Sequence, residues 1–224
     1  MLLLILAALL WIGIHVGVAG TRLRGAVVAR TGEKAFTGVF SLASAVSITL
    51  LVLAWQNAPT TPLWFPPRVL SWLLVVLMLL AFVLFAGSVM TRNATSLGQG
   101  SALEQEPRGM VRITRHPMLW SFAIWGIVHV IGNGDTAAIL FFGAFALTAL
   151  LGMPSLDAKV AARDPAGWRG FASRTSLLPF GAVLSGRNRI AWREILWPLL
   201  IGGAAWAALL HLHPAIFGVS PIPR

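Results

Sequence analysis

Long apolar stretches separated by short basic segments are the feature that most limits how this chain can fold. Hydrophobic residues make up 57% of its 224 residues, charged residues only 11%, and the mean hydropathy is +0.80. A soluble domain of this size carries far more charge on its surface. A helix needs about 20 apolar residues to cross a bilayer core. The pattern therefore predicts an all-α, polytopic membrane helix bundle.

We predict six transmembrane helices in a single domain, 1–210, followed by a short tail, 211–224. The two shortest spans are joined by a turn in which Asp135 is a good N-cap for the fifth helix. The first span has no basic residues in front of it, unlike a cleaved signal peptide, and we expect it to be retained. The predicted spans are 2–20, 37–56, 67–90, 117–132, 136–153 and 191–210.

The basic residues indicate how the helices are oriented. All but two of the 17 Lys and Arg residues lie in the segments 21–36, 91–116 and 154–193; the exceptions are Arg68 and Arg224. Because positively charged loops stay in the cytoplasm, these three segments are predicted to be cytoplasmic and both termini periplasmic. The net charge of +10 is then explained by topology, with no need for a nucleic-acid partner.

The composition removes several kinds of catalytic site. There is no cysteine, which excludes disulfides, thiolate metal sites, iron–sulfur clusters and covalently attached haem. Only seven acidic residues are present, and none is predicted deep in a span. Sites built from paired carboxylates are therefore poorly supported. The five histidines remain as candidates, because an ionisable residue inside a membrane span indicates a function.

Three histidines are candidate ligands of a cofactor. His15 lies in the first span between Gly13 and Gly17, where a flat ligand or another helix can approach closely. His116 is predicted at the start of the fourth helix, and His129 lies about 18 Å further along it, too far for both to bind one metal. His15 can pair with either of them on depth alone. Simple packing against a neighbouring helix is the other interpretation.

A basic patch precedes the fourth helix. Arg112, Arg115 and His116 stand beside a helix N-terminus, whose exposed N–H groups favour an anion such as a phosphate, a carboxylate or a haem propionate. The alternative is an ordinary basic flank of a membrane helix. His211 and His213, at the polar end of the last helix, are predicted to be interfacial surface residues.

Three stretches identify a family resemblance: WIGIHVGVAG, VRITRHPMLWSFAIWGIVHVIGNGD and GWRGFASRTSLLPFGAVLSGR. In this order they resemble the NnrU family of bacterial inner-membrane proteins, which includes relatives of plant 15-cis-zeta-carotene isomerase. The resemblance implies a b-type haem with His15 and His129 as metal ligands, and with Arg112, Arg115 and His116 beside it.

The same resemblance implies a location and a process. The location is the bacterial inner (cytoplasmic) membrane, with the lipid bilayer around the protein. The process is nitric oxide and nitrite metabolism in denitrifying bacteria, with a haem-dependent isomerase activity as a further expectation. A hydrophobic small molecule or a partner from the nitrogen-oxide pathway is the expected ligand or partner.

A weaker resemblance leads to a different prediction. The RHPMLW stretch and the later GWRGFASRTSLLPF stretch are similar to elements of membrane methyltransferases that use S-adenosylmethionine. This alternative places the cofactor near Arg115, His116 and Arg174, although the tyrosine of the family's motif is missing. A third hypothesis is a non-catalytic assembly factor for a reductase, in which the histidines only pack.

Overall fold

The computed structural model describes residues 1–95 and 103–223. All regular structure in these ranges is helical, with a single isolated bridge between Pro62 and Asp135. The α-helices are α1 (Leu2–Ile12), α2 (Leu23–Thr31), α3 (Glu33–Gln56), α4 (Arg68–Met90), α5 (Pro117–Asn133), α6 (Thr136–Arg163), α7 (Pro165–Arg174), α8 (Gly181–Leu184) and α9 (Trp192–Phe217). A π-helical segment, Gly13–Val18, continues α1, and a 3₁₀ helix covers Gly109–Arg112.

Four helices are long and apolar enough to cross a bilayer: α3, α4, α6 and α9. The helical stretch Leu2–Val18 and α2 are bent by 76° relative to each other and together form one further candidate span. Helix α5 is apolar but has only 17 residues. The prediction of an all-α membrane protein is therefore confirmed at the level of four or five candidate spans.

Several helix boundaries differ from those predicted. The segment 21–36, expected to be a loop, contains α2 and the beginning of α3. Helix α6 continues to Arg163 through Pro154 instead of ending at 153, and α9 continues to Phe217 instead of ending at 210. Hydropathy marks only the apolar part of a helix, whereas α6 extends into polar residues, among them Asp157, that have partners elsewhere in the protein.

Contacts group the chain into two compact units. The first consists of Met1–Pro66 and Trp125–Ser155, and the second of Pro67–Ile124 and Leu156–Arg224. The first unit has a core of small and aromatic residues from α1, α3 and α6. In the second unit, a core cluster that includes Val83, Leu84 and Met110 lies between α4, α9 and the 3₁₀ helix.

Glycines allow close helix contacts in both units. In the first unit, a Cβ on Gly126 of α5 would lie 2.7 Å from the carbonyl oxygen of Phe142 in α6. In the second unit, a Cβ on Gly202 of α9 would lie 2.7 Å from Cα of Val83 in α4. Real Cβ atoms do not approach backbone so closely, so these pairs of helices can pack in this way only because the residues are glycine.

The turn between α5 and α6 confirms the predicted cap. Asp135 accepts a hydrogen bond from the backbone N–H of Ala138 at 2.8 Å, the arrangement of a helix N-cap. Gly134 has a φ of +64°, which other residues rarely adopt, and its carbonyl accepts from the N–H groups of Leu63 and Trp64. These bonds fix the start of α6 within the first unit.

Candidate functional site

His15 lies in the π-helical segment that continues α1. Its Nδ1 is 2.9 Å from the carbonyl oxygen of Trp11, four residues earlier. Since a carbonyl oxygen only accepts hydrogen bonds, Nδ1 carries the proton and Nε2 is the acceptor or ligand atom of the neutral ring. The Oγ of Ser44 is 3.4 Å from Nε2, and the ring of Phe40 packs edge-on at 5.3 Å. Irregular π-helical turns often occur at functional sites.

His129, in α5, is held in the same manner. Its Nδ1 is 2.8 Å from the carbonyl oxygen of Trp125, again four residues earlier. The same argument about donors places the proton on Nδ1 and assigns Nε2 as the atom for a ligand. The imidazole stacks on Phe142 with 4.6 Å between ring centroids and 24° between planes. Both histidines are half-buried.

The two histidines share one aromatic cluster within the first unit. Phe145 lies 4.8 Å from the ring of Trp11 and 5.4 Å from the ring of Trp125, centroid to centroid. The rings of Trp11 and His15 are 3.9 Å apart, and those of Trp125 and His129 are 5.1 Å apart. The cluster therefore connects two equivalent Trp–His pairs through a single phenylalanine.

The residues around His15 and His129 are compatible with a haem iron. Histidine ligands of metals usually donate their other ring N–H to a carbonyl or a carboxylate, as both do here. Two imidazoles suffice for a haem, whereas no group of three or more His, Cys, Asp or Glu side chains that could hold a metal ion occurs in the described ranges.

His116 and Arg115 bind one carboxylate in the second unit. His116 directly precedes α5, as predicted, and its Nε2 is 2.7 Å from Oδ1 of Asp157. Arg115 donates from Nε to Oδ2 of the same residue at 2.9 Å, and its guanidinium lies over the ring of Trp168. The side chain of His116 is only 1% exposed. The two basic side chains that were predicted to bind an external anion thus contact a carboxylate of the protein itself.

Arg112 belongs to a different ion pair. Its Nε donates to Glu194 at 3.0 Å, and its Nη1 donates to Oδ1 of Asn188 at 2.9 Å. Glu194 also accepts from the backbone N–H of Gly109, so it joins the 3₁₀ helix to the first turn of α9. Arg174, predicted near a methyl-transfer site, donates to Glu106 at 2.6 Å. The predicted basic patch is therefore divided between two carboxylates, Asp157 and Glu194.

Sequence reasoning missed these acidic partners and the paired tryptophans. Asp157 lies beyond the predicted end of its span, and Glu194 lies at the polar start of α9, so neither was a candidate. The tryptophans had a visible signal, because WIGIH and WGIVH both place a tryptophan four residues before a histidine. That spacing puts both residues on the same face of a helix.

Long apolar helices and two matching histidines in one unit define a helical membrane protein with a candidate paired-imidazole site. The family model described as NnrU protein matches residues 3–221, almost the whole chain. The chain therefore belongs to the NnrU family.

Two plant proteins are similar to part of the chain. The chloroplastic 15-cis-zeta-carotene isomerase of Arabidopsis thaliana is 28% identical over 116 residues, which cover 50% of this chain and 32% of the relative. The enzyme of the same name from Zea mays is 29% identical over 82 residues, which cover 37% of this chain and 22% of the relative. The similarity thus spans a third or less of either plant enzyme. No solved structure matches the chain.

Proposed function

We propose that this protein is a multi-pass protein of the bacterial inner membrane that binds one b-type haem through His15 and His129. The observation that carries the proposal is the repeated arrangement in which each Nδ1–H donates to the carbonyl of a tryptophan four residues earlier. Such a bond fixes the orientation of the ring and makes Nε2 a better ligand. A packing histidine does not require this arrangement twice in one unit.

The surroundings favour a neutral ligand pair. Both imidazoles lie among aromatic rings, where a protonated ring without a counter-charge would be costly. Neutral imidazoles bind iron without placing additional charge in this part of the protein. A haem bound there would supply a redox-active iron, which His15 and His129 would hold.

The reaction that we propose is cis–trans isomerisation of a double bond in a hydrophobic substrate. This is the reaction class in the names of the two plant relatives, and an apolar protein suits a substrate that dissolves in lipid. From the family resemblance we also propose a role in nitric oxide and nitrite metabolism. The proposed topology has six spans and periplasmic termini. Helix α5, which lies beside α6, is the short span that is added to the five candidate spans.

The first test is an absorption spectrum of the detergent-purified protein, oxidised and then reduced with dithionite. We expect a sharp Soret band and split visible bands on reduction, the spectrum of a six-coordinate b-type haem. His15→Ala and His129→Ala should each lower the haem content or change the coordination. His211→Ala is the matched control, because His211 is exposed at the far end of α9 and should leave the spectrum unchanged.

Other outcomes would favour the alternatives. A colourless protein from cells supplied with haem precursor would refute the haem proposal, as would a spectrum that both variants leave intact. Co-purification with reductase subunits would then favour an assembly factor. The contacts of Arg115, His116 and Arg174 among the described residues do not favour methyl transfer, because all three are paired with carboxylates of the protein. Heat of binding with S-adenosylmethionine would reopen that hypothesis.

A further inference from the structure

The indole nitrogen of Trp11 is a buried hydrogen-bond donor that has no partner among the described residues. Among the described residues, one other buried side-chain nitrogen or oxygen atom has no hydrogen-bond partner, namely Oγ1 of Thr148. A threonine hydroxyl can rotate toward a carbonyl of its own helix. An indole N–H is fixed in the plane of its ring and can only donate. Since buried polar groups are nearly always hydrogen-bonded, Trp11 lacks an acceptor that a bound molecule could supply.

This donor is part of the arrangement that holds His15. The two rings are 3.9 Å apart with 32° between their planes, while the carbonyl of Trp11 accepts from Nδ1 of His15. The ring of Trp11 also contacts Phe145 at 4.8 Å. Packing and the backbone thus fix the indole beside the proposed ligand. The unpaired N–H therefore belongs to a ring that directly contacts the imidazole of His15.

We infer that Trp11 donates its indole N–H to a propionate carboxylate of the haem bound at His15, an inference that rests on the proposed function. Apart from the four ring nitrogens that bind iron, the propionates are the only hydrogen-bond acceptors of a b-type haem. A hydrocarbon substrate has none. A carboxylate is also the stronger acceptor, because a bond to a charged oxygen is shorter and more stable than one between neutral groups.

The expected anchors of the propionates are engaged elsewhere. Arg112 donates to Glu194, while Arg115 and His116 contact Asp157. Moving any of them to a haem would break one of these contacts with a carboxylate, at a cost. Trp11 has no such bond to break, so its N–H can hold a propionate without disturbing the ion pairs.

Trp11→Phe tests this role, because it removes the N–H and keeps an aromatic ring. The readout is the rate at which detergent-purified protein loaded with haem b transfers it to apomyoglobin, followed by absorbance. Loss of a hydrogen bond to a charged acceptor should speed release by about tenfold or more. The matched control is Trp55→Phe in the same unit, where the indole stacks on Phe141. It should change the rate less than about twofold.

A second arm identifies the acceptor. Wild type and Trp11→Phe are reconstituted with haem dimethyl ester, in which both carboxylates are blocked. We expect the difference in release rate between the two proteins to shrink several-fold. A difference that persists with the ester would overturn the propionate assignment, and so would equal release of haem b by both proteins. A wild type that takes up no haem would overturn the proposed function itself.

Discussion

Gly126→Ala should separate two helices next to a proposed ligand. The new Cβ would lie 2.7 Å from the carbonyl oxygen of Phe142 and 2.9 Å from Cβ of Ala146, both on α6. Neither atom can move aside without moving the backbone, so α5 must shift away from α6. His129 lies on α5 and stacks on the ring of Phe142, so the same shift would disturb its position.

The size of the effect follows from these distances. Inserting a methyl group into a well-packed contact costs about 1–3 kcal/mol. An alanine in place of glycine within a helix gains roughly 0.5–1 kcal/mol when there is room for it. Gly143→Ala is the control, because its Cβ would meet nothing within 4 Å in the same helix pair. We expect Gly126→Ala to be less stable than Gly143→Ala by about 1–3 kcal/mol.

The assay is unfolding in mixed micelles titrated with SDS, combined with haem release from the loaded protein. Gly126→Ala should unfold at lower SDS than wild type and release haem faster, and Gly143→Ala should do neither. Equal stability of the two variants would refute the close packing of α5 on α6. Lower stability with unchanged haem release would instead refute the dependence of His129 on this contact.

Two further pairs of variants test the second unit in the same titration. Gly202→Ala should destabilise the protein by about 1–3 kcal/mol, because its Cβ meets the backbone of Val83. Gly203→Ala, whose Cβ has its nearest contact at 4.0 Å, should not. Similar unfolding curves for the two variants would exclude this packing of α4 on α9. Asp157→Asn should cost about 2–4 kcal/mol because it removes the carboxylate that pairs with the Arg115 guanidinium and hydrogen-bonds His116. Asp164→Asn should change stability by less than about 0.5 kcal/mol because asparagine also caps helices, so equal losses would count against the buried ion pair.

Local signals in the sequence predicted the apolar helices and several of their ends, but not α2, α7 or α8. Proline favours the first position of a helix, and α5 begins at Pro117. A carboxylate can bind the free N–H groups of a first turn, and Asp135 does so in α6. These predictions succeed because the physical cause lies within a few residues. The predicted end of α6 was wrong for the opposite reason, because its last turns carry Asp157, whose partners are distant in sequence.

The candidate site was predictable only in part. The sequence identified His15 and His129 as ionisable groups in apolar helices. The spacing of four residues between each of them and a tryptophan was also visible. Each bond from Nδ1 to a carbonyl lies within one helix, but the contacts of the phenylalanine that connects the two pairs depend on how α1, α5 and α6 pack. The anion site was predicted from the position of the basic patch at a helix N-terminus. The acidic partners of the patch were not identified from the sequence.

The distribution of satisfied and unsatisfied polar groups favours the first unit as the ligand site. In the second unit, Arg112, Arg115 and His116 contact carboxylates at 2.7–3.0 Å, so an added anion would have to break existing bonds. In the first unit, the groups near His15 and His129 are neutral, and an indole N–H beside His15 is buried without an acceptor. Binding a ligand there completes hydrogen bonding instead of disrupting it. An anchor that uses one neutral donor also explains how a haem could be held without a dedicated arginine.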